Sequence, residues 1–263
     1  MSQPILIIDQ GNTDTVFAWH DGQDWLPSWR MRSDRGAATE ALRQQLLRSL
    51  RDRSLKVNQL RGIVFSSVVP ELSETWRELL AETGIEVLKV GPSLYDRLPL
   101  GILSPEEIGT DLVANALAAY ERFGSACIVV DFGTALTFTA LDSQGVIQGV
   151  AIAPGLKTAV KALFLNAAQL PEVPLELPQS ALGKNTSHAL QAGILMGYVS
   201  LVRGLLKQIK SELKGSVKVA ATGGLVSVLE PLHKDFDHVD PRLTLEGLLS
   251  IGRRVWGMGS LEV

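Results

Sequence analysis

The chain has 263 residues, 46% of them hydrophobic and 20% charged, and its 25 Lys plus Arg against 28 Asp plus Glu leave a formal charge of −3. That length allows one large domain or two of ordinary size, with a core that needs no staples. The acid excess argues against nucleic acid as the main partner, because a duplex needs a basic footprint. The single cysteine, Cys127, excludes an internal disulfide and argues against a cysteine-based zinc site. No basic leader precedes the first apolar run, and no stretch reaches about 18 uncharged apolar residues. A cytoplasmic protein away from the membrane is expected.

Short apolar bursts, each ending in a turn signal, recur along the chain. Ile5-Leu6-Ile7-Ile8 runs into Asp9-Gln10-Gly11-Asn12, and Thr15 to Trp19 alternates after it. Ala37 to Asp52 sets Leu42, Leu46 and Leu47 at helical spacing. Ile63-Val64-Phe65 precedes Ser66-Ser67, and Pro70 to Thr83 reads as a helix with proline in its first turn. Glu106 to Phe123 reads as a third helix. Ile128-Val129-Val130 runs into Asp131-Phe132-Gly133, and Leu136 to Leu141 alternates after it. The proline-rich stretch Gln169 to Pro178 reads as an extended loop. Ser187 to Lys214 reads as a long helix, and Val217 to Ala221 as a strand before Thr222-Gly223-Gly224, which opens a further helix. Buried strands alternating with helices define an α/β chain with a mixed sheet and flanking helices.

The chain also repeats itself. Ile7-Ile8-Asp9-Gln10-Gly11-Asn12-Thr13 is matched by Val129-Val130-Asp131-Phe132-Gly133-Thr134-Ala135, with the two aspartates 122 positions apart. Each copy is a strand, an Asp-x-Gly turn and a second strand, which is a hairpin. Two similar halves are expected, residues 1–122 and 123–263.

The turns carry the chemistry. Gly11 and Gly133 let backbone approach a ligand closely, and Asn12, Thr13, Thr134 and Thr137 offer amide and hydroxyl groups. Turn N–H groups can cradle phosphate oxygens, and Asp9 at a strand end can hold Mg²⁺ or its waters. An ordinary hairpin turn explains either copy alone. Two copies facing one another would clamp a polyphosphate, with Gly223 and Gly224 beside a base or sugar. Asp111 and Asn115 share a helix face, and the helix dipole favours an ionised Asp111 that could take a proton from a substrate hydroxyl. A capping role for Asp111 is equally open. Gly183-Lys184-Asn185-Thr186 precedes the long helix, with Thr186 as cap or substrate contact. His20, His188, His233 and His238 have no metal-site spacing, and no serine-hydrolase elbow, Walker loop or Rossmann fingerprint is present.

Together these residues resemble the superfamily of actin, heat-shock chaperones and acetate and sugar kinases, whose halves have a ribonuclease H-like/actin-like ATPase fold. The chain is similar more closely to the type III pantothenate kinases. The resemblance rests on Asp9 to Thr13, Ser66-Ser67-Val68-Val69-Pro70, Gly109-Thr110-Asp111, Asn115-Ala116, Asp131 to Ala135, Ile152 to Gly155, Gly183 to Thr186, Ala221 to Gly224 and Leu243 to Gly247. It implies transfer of the ATP γ-phosphate to the terminal hydroxyl of pantothenate, the first step towards coenzyme A.

By that resemblance, Asp9, Gln10, Gly11, Asn12, Thr13, Asp14, Thr15 and Val16, with Thr134, Gly223 and Gly224, bind ATP, and Asp9 stands near Mg²⁺. Asp131 binds a monovalent cation, K⁺ or NH₄⁺. Gly109, Thr110, Asp111, Leu112 and Thr186 hold pantothenate, and Asp111 is the proton acceptor. Leu112 stands where the family commonly has Arg. A homodimer is implied, with neither nucleic acid nor membrane as partner. A nucleotide-binding regulatory relative without catalysis, or a kinase of another small hydroxyl compound, are the alternatives.

Overall fold

The computed structural model describes residues 3–166 and 173–258, apart from the side chain of Ser227. Positions 169–172 of the expected proline-rich loop lie outside the described residues, and 173–178 carry no helix or strand. The chain divides into two compact units. The first comprises Met1–Leu98, Ser104–Ala114 and Thr244–Val263, and the second Pro99–Leu103 and Asn115–Leu243.

The first unit is built on strands β1 (Ile5–Gln10), β2 (Asp14–His20), β3 (Trp29–Arg32), β4 (Gly62–Ser67) and β5 (Val87–Lys89), in the order β3-β2-β1-β4-β5. β1 is antiparallel to β2 and parallel to β4. Helices α1 (Thr39–Asp52) and α2 (Pro70–Ala81) lie in the crossovers between parallel strands. α1 buries Leu42, Leu46 and Leu50, while Leu47, expected on that face, is 46% exposed. α2 starts at Pro70, which is tolerated there because the first helical N–H has no intrahelical partner. Its Trp76 reaches Phe17, which stacks on Trp29 with ring centroids 5.2 Å apart. These rings and the leucines form one apolar cluster.

The second unit repeats the plan. Strands β7 (Cys127–Phe132), β8 (Ala135–Leu141), β9 (Val146–Pro154), β10 (Lys218–Thr222) and β11 (His238–Val239) follow the same order, and the two-residue β6 (Gly101–Ile102) adds to the β9 edge. β7 is antiparallel to β8 and parallel to β10. The repeat reaches single residues. β1 and β7 share one burial pattern, and so do β2 and β8. The division expected between residues 122 and 123 is a division of repeats. The compact units cross it, because Thr244–Val263, with nearly all of helix α7 (Leu243–Val255), falls in the first unit.

Helix α3 (Thr110–Phe123) begins four residues later than the periodicity suggests, and α4 (Leu156–Asn166) follows β9. The expected long helix is three pieces: α5 (Thr186–Gln191), a π-helical turn over Ala192–Met196, and α6 (Gly197–Glu212). Thr186–Glu212 is long and apolar enough, by composition, to cross a membrane. Leu195, Val199, Val202 and Leu206 from this run are buried in the second unit's apolar cluster. The helix expected after Gly224 is instead a kinked 3-10 segment, Val226–Asp235, interrupted at Leu229 and containing Pro231. Proline has no N–H to donate and so disfavours a regular α-helix there.

Candidate active site

In the first unit, the turn after β1 is closed by the Gly11 N–H donating to Asp14 O at 3.0 Å. A Cβ on Gly11 would lie 3.2 Å from that same oxygen, so the tight turn favours glycine. Ser33 ties the turn down, donating from Oγ to Gly11 O at 2.7 Å and from N to Thr13 O at 2.9 Å. Asn12 and Thr13 are exposed, and the Asn12 side-chain oxygen accepts from Arg35 at 2.8 Å. Asp9, Asp14 and Val16 are half-buried. Gln10 and Thr15 are buried and belong to the turn's support. The Gln10 carbonyl oxygen Oε1 accepts from Ser67 Oγ at 2.7 Å, and Thr15 Oγ1 lies 3.1 Å from Ser33 Oγ.

Parallel pairing puts Ser66 of β4 beside Asp9 of β1. Ser66 is fully buried and its hydroxyl donates to Asp9 Oδ1 at 3.2 Å. It lies 2.9 Å from Thr110 Oγ1. A serine has one proton to give, so Thr110 donates to Ser66 while Ser66 donates to Asp9. A relay of two hydroxyls thus joins the first turn to the start of α3, where Asp111 follows. Ser66→Ala removes both bonds. We expect a loss of about 1–3 kcal/mol of stability, seen in urea unfolding, and an unchanged midpoint would show the hydroxyl to be idle.

Asp111 lies in the first turn of α3 and is half-buried. Its Oδ1 accepts from its neighbour's N–H, that of Leu112, at 2.9 Å. Burial pushes the carboxyl above its ordinary value, and backbone N–H groups pull it part of the way back. A Cβ on Gly109 would lie 2.5 Å from that Oδ1, so the missing side chain makes room for the carboxylate. Leu112 itself is buried at 8% exposure, an apolar packing residue.

In the second unit, Asp131 is the penultimate residue of the equivalent strand, as Asp9 is of β1. Its Oδ2 accepts from Asn115 Nδ2 at 3.0 Å. Asn115 is buried, so the face shared with Asp111 carries a donor to a strand carboxylate. Gly133 closes its turn by donating to Ala135 O at 3.0 Å. Thr134 is exposed, and its carbonyl accepts from Gly155 N at 3.1 Å and Thr158 Oγ1 at 2.7 Å. Thr222 of β10 pairs with Asp131 as Ser66 pairs with Asp9, and it too is buried. Gly223, at φ +93°, packs against this strand end, and Gly224 is exposed. Thr186 is exposed at the start of α5. The cap there is Asn185 and not Thr186: its side chain accepts from His188 N at 2.9 Å.

The structure therefore gathers Asp9, Ser66, Thr110 and Asp111 in one unit and Asn115, Asp131, Thr222 and Gly223 in the other. Sequence alone does not show that Ser66 stands beside Asp9, or Thr222 and Asn115 beside Asp131. The register of the parallel strands, which brings a hydroxyl beside each aspartate, is a tertiary signal. Among the described residues no group of three or more His, Cys, Asp and Glu forms a metal cage. The donors are single carboxylates with hydroxyls and backbone oxygens. That set suits a hard cation held through one carboxylate and substrate phosphates.

Two hairpin-first sheets, each with an aspartate at the turn and a parallel strand beside it, define an actin-like ATPase fold. The chain is similar to a solved structure described as a putative 2-dehydro-3-deoxygalactonokinase from Sinorhizobium meliloti, with TM-score 0.61, 12% identity and coverage of 98% of this chain and 99% of that one. It is also similar to MreB 5 of Spiroplasma citri, with TM-score 0.56, 11% identity and coverage of 98% of each chain. The family model for Type III pantothenate kinase matches residues 5–208. A protein of that name from Treponema pallidum (strain Nichols) is 45% identical over 258 residues, covering 95% of this chain and 94% of its own. The chain belongs to the type III pantothenate kinase family, and it is a kinase.

Proposed function

We propose a division of roles for the reaction that membership of this family assigns to the chain: ATP-dependent phosphorylation of pantothenate to 4'-phosphopantothenate, the first step of coenzyme A biosynthesis. The observation that carries it is the relay from Asp9 through Ser66 to Thr110, which holds a phosphate-binding turn in register with the Asp111 carboxylate. Phosphoryl transfer depends mainly on positioning and charge neutralisation, so a fixed distance between these groups is the protein's main contribution.

The backbone of Asp9 to Val16 cradles the ATP phosphates, with Thr134, Gly223 and Gly224 on the nucleotide in the second unit. Gly109, Thr110 and Thr186 hold pantothenate. Asp111 orients its terminal hydroxyl and takes the proton as the bond to phosphorus forms. A carboxylate is a weak base for a free alcohol, and burial strengthens this one. Leu112 contributes its backbone N–H to Asp111 and packing through its side chain. Asp9 would hold Mg²⁺ and Asp131 a monovalent cation, K⁺ or NH₄⁺. Bound there, the cations offset the phosphate charge.

The protein works in the cytoplasm as a homodimer, with neither nucleic acid nor membrane as partner. Exposed apolar residues support the dimer: Ile152 and Val150 of β9, 70% and 38% exposed, and Leu165 and Leu163 of α4, 74% and 38% exposed. Large apolar side chains left exposed are the kind of surface a second copy would cover.

An acceptor panel tests the assignment. ADP release is measured with Mg-ATP alone, with pantothenate and with a set of sugars, each in K⁺ and in Na⁺. The expected result is release that needs both pantothenate and K⁺. Release in both salts removes the cation role of Asp131. Release with a sugar and none with pantothenate makes the chain a kinase of another hydroxyl compound.

A further inference from the structure

Both Asp-x-Gly turns are tied down by the residue that follows the third strand of their repeat. In the first unit β3 is antiparallel to β2 and ends at Arg32. The next residue, Ser33, donates its N–H to Thr13 O at 2.9 Å and its hydroxyl to Gly11 O at 2.7 Å. In the second unit β9 is antiparallel to β8 and ends at Pro154. The next residue, Gly155, donates its N–H to Thr134 O at 3.1 Å. The backbone half of the tie is repeated. The hydroxyl half cannot come from the same position. A Cβ on Gly155 would lie 2.3 Å from Gly133 O and 2.4 Å from Thr134 O, both backbone atoms of the turn, so no serine fits there.

The hydroxyl comes instead from the first turn of the helix that follows. Thr158, the third residue of α4, donates from Oγ1 to Thr134 O at 2.7 Å. The Thr134 carbonyl therefore accepts two bonds, as its two lone pairs allow. The segment is anchored behind as well, because Tyr198 near the start of α6 donates its hydroxyl to Pro154 O at 2.7 Å. The stretch Ile152 to Gly155, singled out in the sequence, thus ends in a strap across the second turn.

We propose that Thr158 is a positioning residue for nucleotide binding, its hydroxyl holding the Thr134 carbonyl so that the second turn keeps the shape that receives the ATP phosphates. It does for this turn what the Ser33 hydroxyl does for the first. Thr158 acts through Thr134 and is not itself placed on the nucleotide. An unengaged carbonyl would also present partial negative charge to the phosphates, and the two donors offset it. The inference rests on the reading of Thr134 as a nucleotide contact.

Thr158→Val and Thr158→Ser test it. Valine keeps the branched shape and removes the hydroxyl, while serine keeps the hydroxyl and removes the methyl group. The side chain is exposed, so neither change opens the core. In the intact protein, titration with Mg²⁺ and a non-hydrolysable ATP analogue should give a Kd raised about three- to tenfold by valine and kept at the parent's value by serine. KM for ATP should follow Kd, with kcat at saturating ATP unchanged. Without nucleotide, amide hydrogen exchange at Gly133 and Gly155, whose N–H groups bond to the turn, should be faster in the valine variant. Unchanged exchange overturns the proposal. Faster exchange with the parent's Kd shows that the turn does not hold nucleotide, and overturns the reading of Thr134 together with the proposal. Equal losses of affinity in both variants assign the effect to packing and overturn it as well. Analogue binding needs no acceptor. If the parent releases no ADP with pantothenate, the function reading fails, and the titration still decides the role of Thr158.

Discussion

Asp111→Asn is expected to lower turnover by about 100- to 10,000-fold while the protein stays folded. The amide cannot take a proton from the acceptor, yet its oxygen can still accept from the Leu112 N–H. The same substitution changes the pH dependence of stability. Burial raises the folded-state pKa of Asp111 above its ordinary 3.8, so the folded protein keeps this proton to higher pH than the unfolded chain does. Stability contributed by the protonated group is fully present below the unfolded value and lost as pH rises through the folded one. The ionised carboxylate therefore costs stability at neutral pH, and asparagine does not. Urea unfolding should find Asp111→Asn more stable than the parent at pH 7, with the difference closing as pH falls towards 3.8. A variant with near-normal turnover removes Asp111 from the chemistry. A variant less stable at pH 7 contradicts the burial cost.

Gly223→Ala should damage both folding and nucleotide binding, for a steric reason. Gly223 has φ +93°, and a Cβ there would lie 2.6 Å from the Phe132 carbonyl carbon and 2.7 Å from Asp131 Oδ1. Backbone strain of this kind costs about 1–3 kcal/mol, before the clash is relieved. Relief can come only by moving the end of β7, which carries Asp131, because the Phe132 contacts are backbone. We expect a lower Tm and an ATP KM raised about tenfold or more, equal to about 1.4 kcal/mol. Gly224 has nothing within 4 Å of an added Cβ, so Gly224→Ala should keep the parent Tm. Equal melting of Gly223→Ala and the parent would show that the strand end yields without cost.

The repeat is readable because its signal is local. Apolar bursts followed by Asp-x-Gly produce β1-β2 and β7-β8, down to matching burial along both pairs. β9 escapes such a reading because Gln148, Gly149 and Val150 are all exposed, which breaks the alternation of a half-buried strand. α5 and α6 read as one helix because a π-helical turn adds length without disturbing apolar spacing. Among the proposed site residues, Asp9, Asp111 and Asp131 stand in motifs. Ser66 reads as an ordinary serine after an apolar run, and only the β1-β4 register places it beside Asp9. The helical spacing of Asp111 and Asn115 does point to a shared face. It does not point to Asp131, the strand carboxylate to which Asn115 donates.

The most direct test of the account is the product itself. Purified protein is incubated with Mg-ATP, K⁺ and pantothenate, and the acceptor is examined by mass spectrometry alongside ADP. The account predicts 4'-phosphopantothenate formed one for one with ADP, with neither product formed by Asp111→Asn at the parent's rate. ATP hydrolysis that leaves pantothenate unmodified would contradict it.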